Sequence, residues 1–197
     1  MKPIRAAAIR GLAFGLAALL AASCLPVTSK SPVGTTVGLG ADPLLLGTWK
    51  STGKDAPGYF HFLRAENGTL TVLTVMPASP KGDSEWSRYT ATTATLGARH
   101  FLNAREVSNN GKAADAGAPN IPLLYTVDAA GAVALYLIDE AAAKDAIAAG
   151  RIEGTIEDGD YGNAVLTAAP GKLDAFFARA DGAALFKEKL VVLTKQN

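Results

Sequence analysis

The two histidines, His61 and His100, are the first residues to examine for metal chemistry, because imidazole nitrogens are common ligands of zinc and other transition metals. Each stands beside aromatic residues in a run typical of a strand, so two strands would have to bring them together. Neither belongs to a His-x-His pair or has a pair of carboxylates nearby. The sequence therefore predicts polar positions in a sheet for both histidines, with no metal site and no cofactor.

Acidic residues in the C-terminal third are the candidates for a catalytic carboxylate pair of the kind used in glycoside hydrolysis. They are Asp139, Glu140, Glu153, Glu157, Asp158 and Asp160. The first two precede or open a predicted helix, where negative charge stabilises the N-terminus. Glu153 and Glu157 share the outward face of a predicted strand. A hydrolase built on these carboxylates is kept as an alternative.

Residues 158–163 (DGDYGN) place oxygen ligands between glycines, as calcium loops do. The glutamate that an EF-hand needs at its twelfth position is replaced by Ala169, so this segment is predicted to be a polar turn. For nucleophilic catalysis, no Gly-x-Ser-x-Gly motif surrounds Ser84, Ser87 or Ser108, and the chain has a single cysteine. The sequence predicts a protein that is not an enzyme.

Large aromatic side chains are the remaining candidates for binding chemistry, since apolar ligands are held mostly by such groups. Six of them lie in predicted strands and are expected to line an interior cavity: Trp49, Tyr59, Phe62, Trp86, Tyr125 and Tyr136. A filled interior would use the same residues as core. The sequence leaves both alternatives open.

Residues 1–23 have the three parts of a secretory signal peptide. Lys2, Arg5 and Arg10 make the start basic, and residues 11–22 are uncharged and rich in Leu and Ala. This apolar run would rise about 18 Å as a helix, which is short of the roughly 30 Å hydrocarbon core of a membrane. The sequence therefore predicts export and removal of the segment, and not a transmembrane anchor.

The end of this segment, residues 20–24 (LAASC), resembles the lipobox of bacterial lipoproteins. The resemblance implies cleavage before Cys24 by signal peptidase II and attachment of acyl chains, palmitate among them, to that residue. The uncharged Leu25 that follows implies sorting to the outer membrane. Ala21 stands where the family most often has Leu. This departure leaves a type I cleavage, and a soluble periplasmic or secreted protein, as the alternative.

The chain after residue 23 is nearly neutral and begins with a stretch of small residues. The whole chain has 19 Lys and Arg against 18 Asp and Glu, and without Lys2, Arg5 and Arg10 the balance is 16 against 18, a net charge of −2. This charge excludes a basic surface for nucleic acid. Residues 24–43 are predicted to hold the lipid attachment and a flexible tether, and residues 44–197 a single domain.

Alternating apolar and polar residues predict a mainly β domain. Ten strands are expected, at residues 44–51, 58–64, 69–76, 86–95, 99–107, 121–128, 132–138, 151–157, 164–168 and 189–195. Short turns such as Asn67-Gly68 join them, which predicts an antiparallel meander closing into a barrel or a strongly curled sheet. Two short helices are expected at residues 140–149 and 170–180.

Gly47-Thr48-Trp49, at the start of the first strand, resembles the Gly-x-Trp motif of lipocalins. The resemblance implies an eight-stranded barrel with Trp49 at its closed end, a helix before the last strand and a late cation over the indole. Lys189 and Lys195 are the cations available for that position. The Thr-Asp-Tyr turn of the family is missing, and the helix at residues 140–149 is foreign to its pattern.

These features favour a lipid-anchored binding domain that holds a small apolar ligand or an envelope lipid in its interior. Two further functions stay open: an envelope structural or accessory protein that acts through protein–protein contacts, and the carboxylate hydrolase. The partners expected are the membrane, through the N-terminal lipid, and either a small apolar ligand or an envelope protein, without nucleic acid.

Overall fold

The computed structural model describes residues 26–52, 58–77, 84–157 and 162–196. Its strands are β1 (Thr28–Ser29), β2 (Gly47–Ser51), β3 (Tyr59–Arg64), β4 (Leu70–Met76), β5 (Glu85–Leu96), β6 (Arg99–Asn109), β7 (Lys112–Ala113), β8 (Ile121–Val127), β9 (Val133–Leu137), β10 (Gly154–Ile156), β11 (Ala164–Leu166) and β12 (Glu188–Lys195). Its helices are α1 (Glu140–Ala148), α2 (Pro170–Ala178) and α3 (Ala180–Ala183), and one 3₁₀ turn spans Pro43–Leu45.

Eight strands of the described chain form a closed antiparallel barrel, as the sequence predicts. The strands β2, β3, β4, β5, β6, β8, β9 and β12 follow one another around it, and β12 pairs with β2 to complete the circle. The longest pairing joins β5 to β6, from Ser87 opposite Asn109 to Leu96 opposite Arg99. Closure pairs every strand on both sides, which removes the exposed edges of an open sheet.

The interior of the barrel is filled by every second residue of each strand, because successive side chains of a strand point to opposite faces. In β4, for example, Leu70, Val72, Thr74 and Met76 are buried and the residues between them are half-exposed. The apolar ones, Leu70, Val72 and Met76, belong to one hydrophobic cluster, which we call the inner core. Leu45 of the 3₁₀ turn joins it and closes one end of the barrel, the plugged end.

A second hydrophobic cluster, the outer core, lies between the barrel wall and the segment that joins β9 to β12. That segment contains α1, β10, β11, α2 and α3. Four phenylalanine rings meet at its centre. The centroid of the Phe177 ring lies 6.2 Å from that of Phe101 and 5.2 Å from those of Phe176 and Phe186. The outer core therefore gives the helices of the insertion an apolar surface on which to pack.

The strands β10 and β11 are not part of the barrel, although the sequence predicts one continuous meander. They pair with each other, and β11 also pairs in parallel with β1. The reason is α1, which carries the chain away from β9 and leaves these short strands to form a small three-stranded sheet with the N-terminal segment.

The segment from residue 26 to residue 42, here the N-terminal strap, is packed against the domain. Val27 and Val33 are buried, and both backbone groups of Val33 bond the side-chain amide of Asn103 at 2.7 and 2.9 Å. Gly34 has a φ of +92°, and a Cβ built on it would lie 2.0 Å from the Cβ of Ala94. The prediction of a flexible tether up to residue 43 is therefore wrong for the strap. Its apolar residues are too few to form a periodic face, but single ones such as Val27 and Val33 are buried against the domain.

The carboxylate of Asp174 ties the strap to α2. It is 4 % exposed and accepts hydrogen bonds from the backbone of Gly34 at 2.6 Å, the backbone of Thr36 at 2.8 Å and the hydroxyl of Thr36 at 2.6 Å. Three donors compensate the burial of a polar carboxylate, which would otherwise be unfavourable. The strap is thus fixed by paired polar groups as well as by apolar contact.

Candidate functional site

The barrel holds an interior cavity between the plugged end and the opposite end, which we call the far end. Its lining comes from Phe60, Phe62, Val72, Thr74, Tyr89, Leu102, Ala104, Ile121, Leu123, Leu135 and Leu190. The cavity has a volume of about 40 Å³, and the atoms exposed to it are apolar. Such a space is suited to an apolar group rather than to bound water, which needs polar partners.

The six aromatic residues that the sequence places in a cavity lie in three different environments. Phe62 lines the cavity, and Trp49 and Tyr125 are buried in the inner core at the plugged end. Tyr59 and Trp86 are each 39 % exposed on the outer surface of the barrel, and Tyr136 packs against the outer core. These last three residues do not line the cavity. Their side chains point outward, and the neighbouring residues of the same strands point inward.

Trp49 closes the plugged end together with the 3₁₀ turn. Its indole N–H donates a 2.7 Å hydrogen bond to the carbonyl of Leu45, and the ammonium of Lys195 lies 5.4 Å from the ring centroid. Gly47 has a φ of +122°, and a Cβ there would come within 3.1 Å of the Lys195 side chain. Of the two lysines that the sequence offers for the place over the indole, Lys195 occupies it, while Lys189 lies over Tyr136.

A short hydrogen bond joins Tyr125 to the strap at the same end. The Tyr125 hydroxyl donates to Oδ2 of Asp42 at 2.5 Å, and Oδ1 of Asp42 accepts from the backbone N–H of Leu44 at 2.9 Å. Burial raises the pKa of the Tyr125 phenol far above its usual value, and the hydrogen bond and negative charge of Asp42 raise it further. The phenol therefore stays protonated, and the pair seals the plugged end.

Polar side chains gather at the far end, on the inward face of β5. Glu85 pairs with Met76, Ser87 with Thr74 and Tyr89 with Val72, so all three face the interior with residues of the inner core. Burial raises the pKa of Tyr89 to about 12, a side-chain hydrogen bond with Ser87 lowers it somewhat, and the charge of Glu106 on β6 raises it again.

One of these polar atoms, the buried Oε2 of Glu85, has no hydrogen-bond partner. The hydroxyl of Ser87, a residue that is 0 % exposed, has only its weak interaction with the Tyr89 phenol. Thr74, beside them, makes only a long 3.5 Å contact to the Ser87 carbonyl. Buried polar atoms are nearly always bonded, so hydrogen bonding on this part of β5 is weaker than in most protein interiors.

The other residues considered for chemistry are explained by structural contacts. His61 and His100 lie on β3 and β6 and contact Thr48 and Thr95, at 3.0 and 3.2 Å. In the described ranges, no three His, Cys, Asp or Glu residues come together in a way that would hold a metal ion.

The acidic candidates are dispersed in the same way. Asp139 caps α1 by accepting from Ala142 N–H at 2.7 Å, Glu140 pairs with Lys144 at 2.6 Å, and Glu153 pairs with Lys172. Asp158 and Asp160, in the part of the predicted polar turn at residues 158–161, lie outside the described residues, as does Cys24.

Sequence reasoning did not place Glu85 and Ser87 on the inward face of β5. The run from Glu85 to Thr90 alternates, but aromatic residues occur on both faces, at Trp86 and at Tyr89. Only the pairing with the neighbouring strand distinguishes the two faces. The register places Ser87 and Glu85 opposite Thr74 and Met76, which are buried on the inward face of β4.

Comparison of this chain with protein-family models, curated proteins and solved structures finds no match. Over the described part of the chain, no helix combines the length and apolar character needed to cross a membrane.

Proposed function

We propose that this protein is an exported, lipid-anchored binding protein that holds a small apolar ligand inside its barrel. The observation that carries the proposal is the apolar cavity between the plugged end and the far end. An interior that served only as core would be packed to the density of an organic crystal, with few voids larger than a water molecule. Here the void is lined by residues from seven barrel strands.

The size of the cavity limits what enters without rearrangement. An engineered apolar cavity of about 150 Å³ holds benzene, and the space here is about 40 Å³. Ligand entry therefore requires movement of side chains. Leu190, which is only partly buried, and Met76, a flexible side chain at the far end of β4, are the groups best placed to move.

Native mass spectrometry of residues 25–197, exported to the periplasm and purified without detergent, tests the proposed interior ligand. We expect an extra mass of a few hundred daltons that is lost on denaturation. The variant Ala104→Phe, which fills the cavity from β6, should purify without that mass. Arg105→Phe, at the adjacent exposed position of the same strand, should keep it. A bare wild-type mass under these conditions would overturn the proposal.

The anchor is supported by the basic start, the apolar run and the lipobox-like residues 20–24. Growth with an alkyne-tagged fatty acid, followed by a click reaction, tests it directly. We expect labelling of the wild-type chain and none of Cys24→Ser. An unlabelled wild-type chain would contradict the lipid anchor and favour the soluble exported form. It would not bear on the interior ligand, which the mass measurement tests.

A second candidate function is contact with another envelope protein. The observation in its favour is a set of exposed apolar side chains at the plugged end, where Leu44 is 60 %, Leu63 55 % and Val127 41 % exposed. Larger contiguous apolar patches mark interaction sites. Crosslinking in cells tests this second function. A crosslinker at position 63 should give a specific adduct with the partner protein, and a crosslinker at the far end should give none.

A further inference from the structure

The lipid attachment proposed at Cys24 lies two residues before the strap, which the domain holds from its start. Val27, Thr28 and Ser29 are 2 %, 8 % and 0 % exposed. The backbone of Ser29 exchanges two hydrogen bonds with the backbone of Asn120, at 2.8 and 2.9 Å. The position of the strap on the domain is therefore fixed close to the proposed anchor.

The covalent chain limits the distance between the anchor and the domain. An extended chain spans at most about 3.6 Å per residue, so the Cα atom of Cys24 lies within about 7 Å of that of Pro26. A flexible tether over residues 24–43 would have an average end-to-end distance of roughly 25 Å and a full extension of about 65 Å. Because the strap is packed, acyl chains on Cys24 would instead be attached next to the surface of the domain.

The small sheet of β1, β11 and β10 shows which part of the surface this is. The parallel strands β1 and β11 begin at the same end of the sheet, and β10, which is antiparallel to β11, ends there. Ile156, the last residue of β10, pairs with Ala164 of β11 and is 43 % exposed. Paired strands lie about 4.8 Å apart, so Ile156 is about 10 Å across the sheet from the line of β1 and within about 20 Å of Cys24.

The opposite side of the domain is the barrel wall at β3. The outer core, to which the small sheet contributes, packs on the wall of β6, β8 and β9 through Phe101, Leu124 and Tyr136. Around the barrel, β3 is four strands from β8 in both directions. Tyr59 of β3 is 39 % exposed, nearly the same fraction as Ile156. A bilayer close to Ile156 would therefore be distant from Tyr59.

We infer that the domain rests directly on the lipid bilayer, with the Ile156 end of the small sheet at the headgroups and the β3 wall facing away. With a link of at most about 7 Å, the domain pivots only until the surface next to Pro26 meets the headgroups. Ile156 places an exposed apolar side chain at that surface. The inference rests on the proposed lipid anchor and goes beyond it, because an anchor alone leaves the distance and orientation of the domain open.

Quenching of a fluorophore by lipids that carry a spin label on the headgroup measures this contact. Cys24 is the only cysteine of the chain, and in the lipidated protein its sulfur is bonded to the lipid, so Ile156→Cys and Tyr59→Cys each add one free thiol for labelling. The lipidated variants are reconstituted into vesicles of phosphatidylethanolamine and phosphatidylglycerol that contain the spin-labelled lipid. We expect at least about fivefold stronger quenching at position 156 than at position 59, because the short link holds only the former near the headgroups. Equal quenching at the two positions would overturn the inference.

A flexible linker tests the cause of the contact. Twenty Gly and Ser residues inserted between Leu25 and Pro26 add roughly 25 Å of average distance, so quenching at position 156 should fall to the level at position 59. A contrast between the positions that survives in the linker variant would show that the short link does not hold the domain there, and would overturn the inference. Thr155→Cys, at the adjacent exposed position of β10, replaces Ile156→Cys if that variant unfolds at a lower temperature than the wild type.

Fatty-acid labelling separates the failure of this inference from the failure of the anchor. A wild-type chain without the alkyne-tagged acyl group would contradict the anchor and this inference together. A chain that carries the acyl group and is quenched equally at positions 156 and 59 would keep the anchor and overturn only the contact between the small sheet and the bilayer.

Discussion

The inner and outer cores of this protein differ in how completely they are filled. In the outer core four phenylalanine rings pack together, and the buried side chains of Asn103 and Asp174 at its border are bonded to the strap. The inner core keeps an apolar cavity, whereas both cores border a buried oxygen without a partner, Oε2 of Glu85 in one case and Oγ1 of Thr28 in the other. The difference teaches that a barrel can keep an incompletely filled interior when a second, well-packed core outside its wall contributes to its stability.

Truncation of an aromatic ring in each core gives the largest expected effect. Phe177→Ala removes a 0 % exposed ring that contacts three others, and we expect it to lower the free energy of unfolding by about 3–5 kcal/mol. Phe60→Ala removes a ring that already borders the cavity and has fewer packing contacts to lose. Urea unfolding followed by circular dichroism should give the smaller loss for Phe60→Ala, and equal losses would contradict the contrast between the cores.

Removal of a buried polar group should separate the cores next. Asp174→Ala leaves the donors of Gly34 and Thr36 without their acceptor, and we expect a loss of about 3 kcal/mol in the free energy of unfolding. Ser87→Ala removes a hydroxyl whose one interaction is a weak hydrogen bond with the Tyr89 phenol, so we expect a loss of about 1 kcal/mol or less. A comparable loss for both variants would contradict this difference.

High pH should act on the inner core through Tyr89. Its folded pKa is about 12 against an ordinary value of 10, so its contribution is complete below pH 10 and is lost as pH rises towards 12. A shift of this size corresponds to about 2–3 kcal/mol of stability. Tyr125, whose pKa is raised in the same direction, adds to this loss.

The variant Tyr89→Phe provides the check on that loss. Unfolding free energies at pH 9, 10, 11 and 12 should fall less steeply for Tyr89→Phe than for the wild type. Parallel curves for the two chains would assign the alkaline loss to other groups.

The smallest expected effect concerns the plugged end. Lys195→Met removes the ammonium over the Trp49 ring, and we expect a loss of about 0.5–1 kcal/mol because the lysine is exposed. Lys195→Arg should restore most of it. Thermal unfolding of the two variants measures the difference, and a loss of the same size in Lys195→Arg would point to the length of the side chain rather than its charge.

The strands of the barrel were predictable because their residues alternate strongly. The third expected strand, for example, is predicted at residues 69–76 and is observed as β4, Leu70–Met76. The helices at residues 140–149 and 170–180 were placed by Asp139 as an N-cap and Pro170 at the first turn, and they are observed at Glu140–Ala148 and Pro170–Ala178. Local signals of this kind need no knowledge of tertiary contacts.

The inward face of each strand was not predictable by the same means. Period two assigns Leu135 and Tyr136 to opposite faces of β9 but does not say which faces the interior. With an apolar layer on both sides of the barrel wall, Tyr136 packs outward and Leu135 inward. The strap escaped prediction for a related reason, since its partners Asn103 and Asp174 lie 70 and 140 residues away in sequence.

The separation between the strap and its partners bears on the order in which the protein folds. Residues 26–42 are synthesised well before α2, so Gly34 acquires its acceptor only when Asp174 has been made, 140 residues later. At about 5–20 residues per second this interval lasts about 7–30 s. The barrel meander has neighbours in sequence and gains contacts as it emerges, whereas the strap must wait. We therefore expect docking of the strap and completion of the outer core to be the last step of folding.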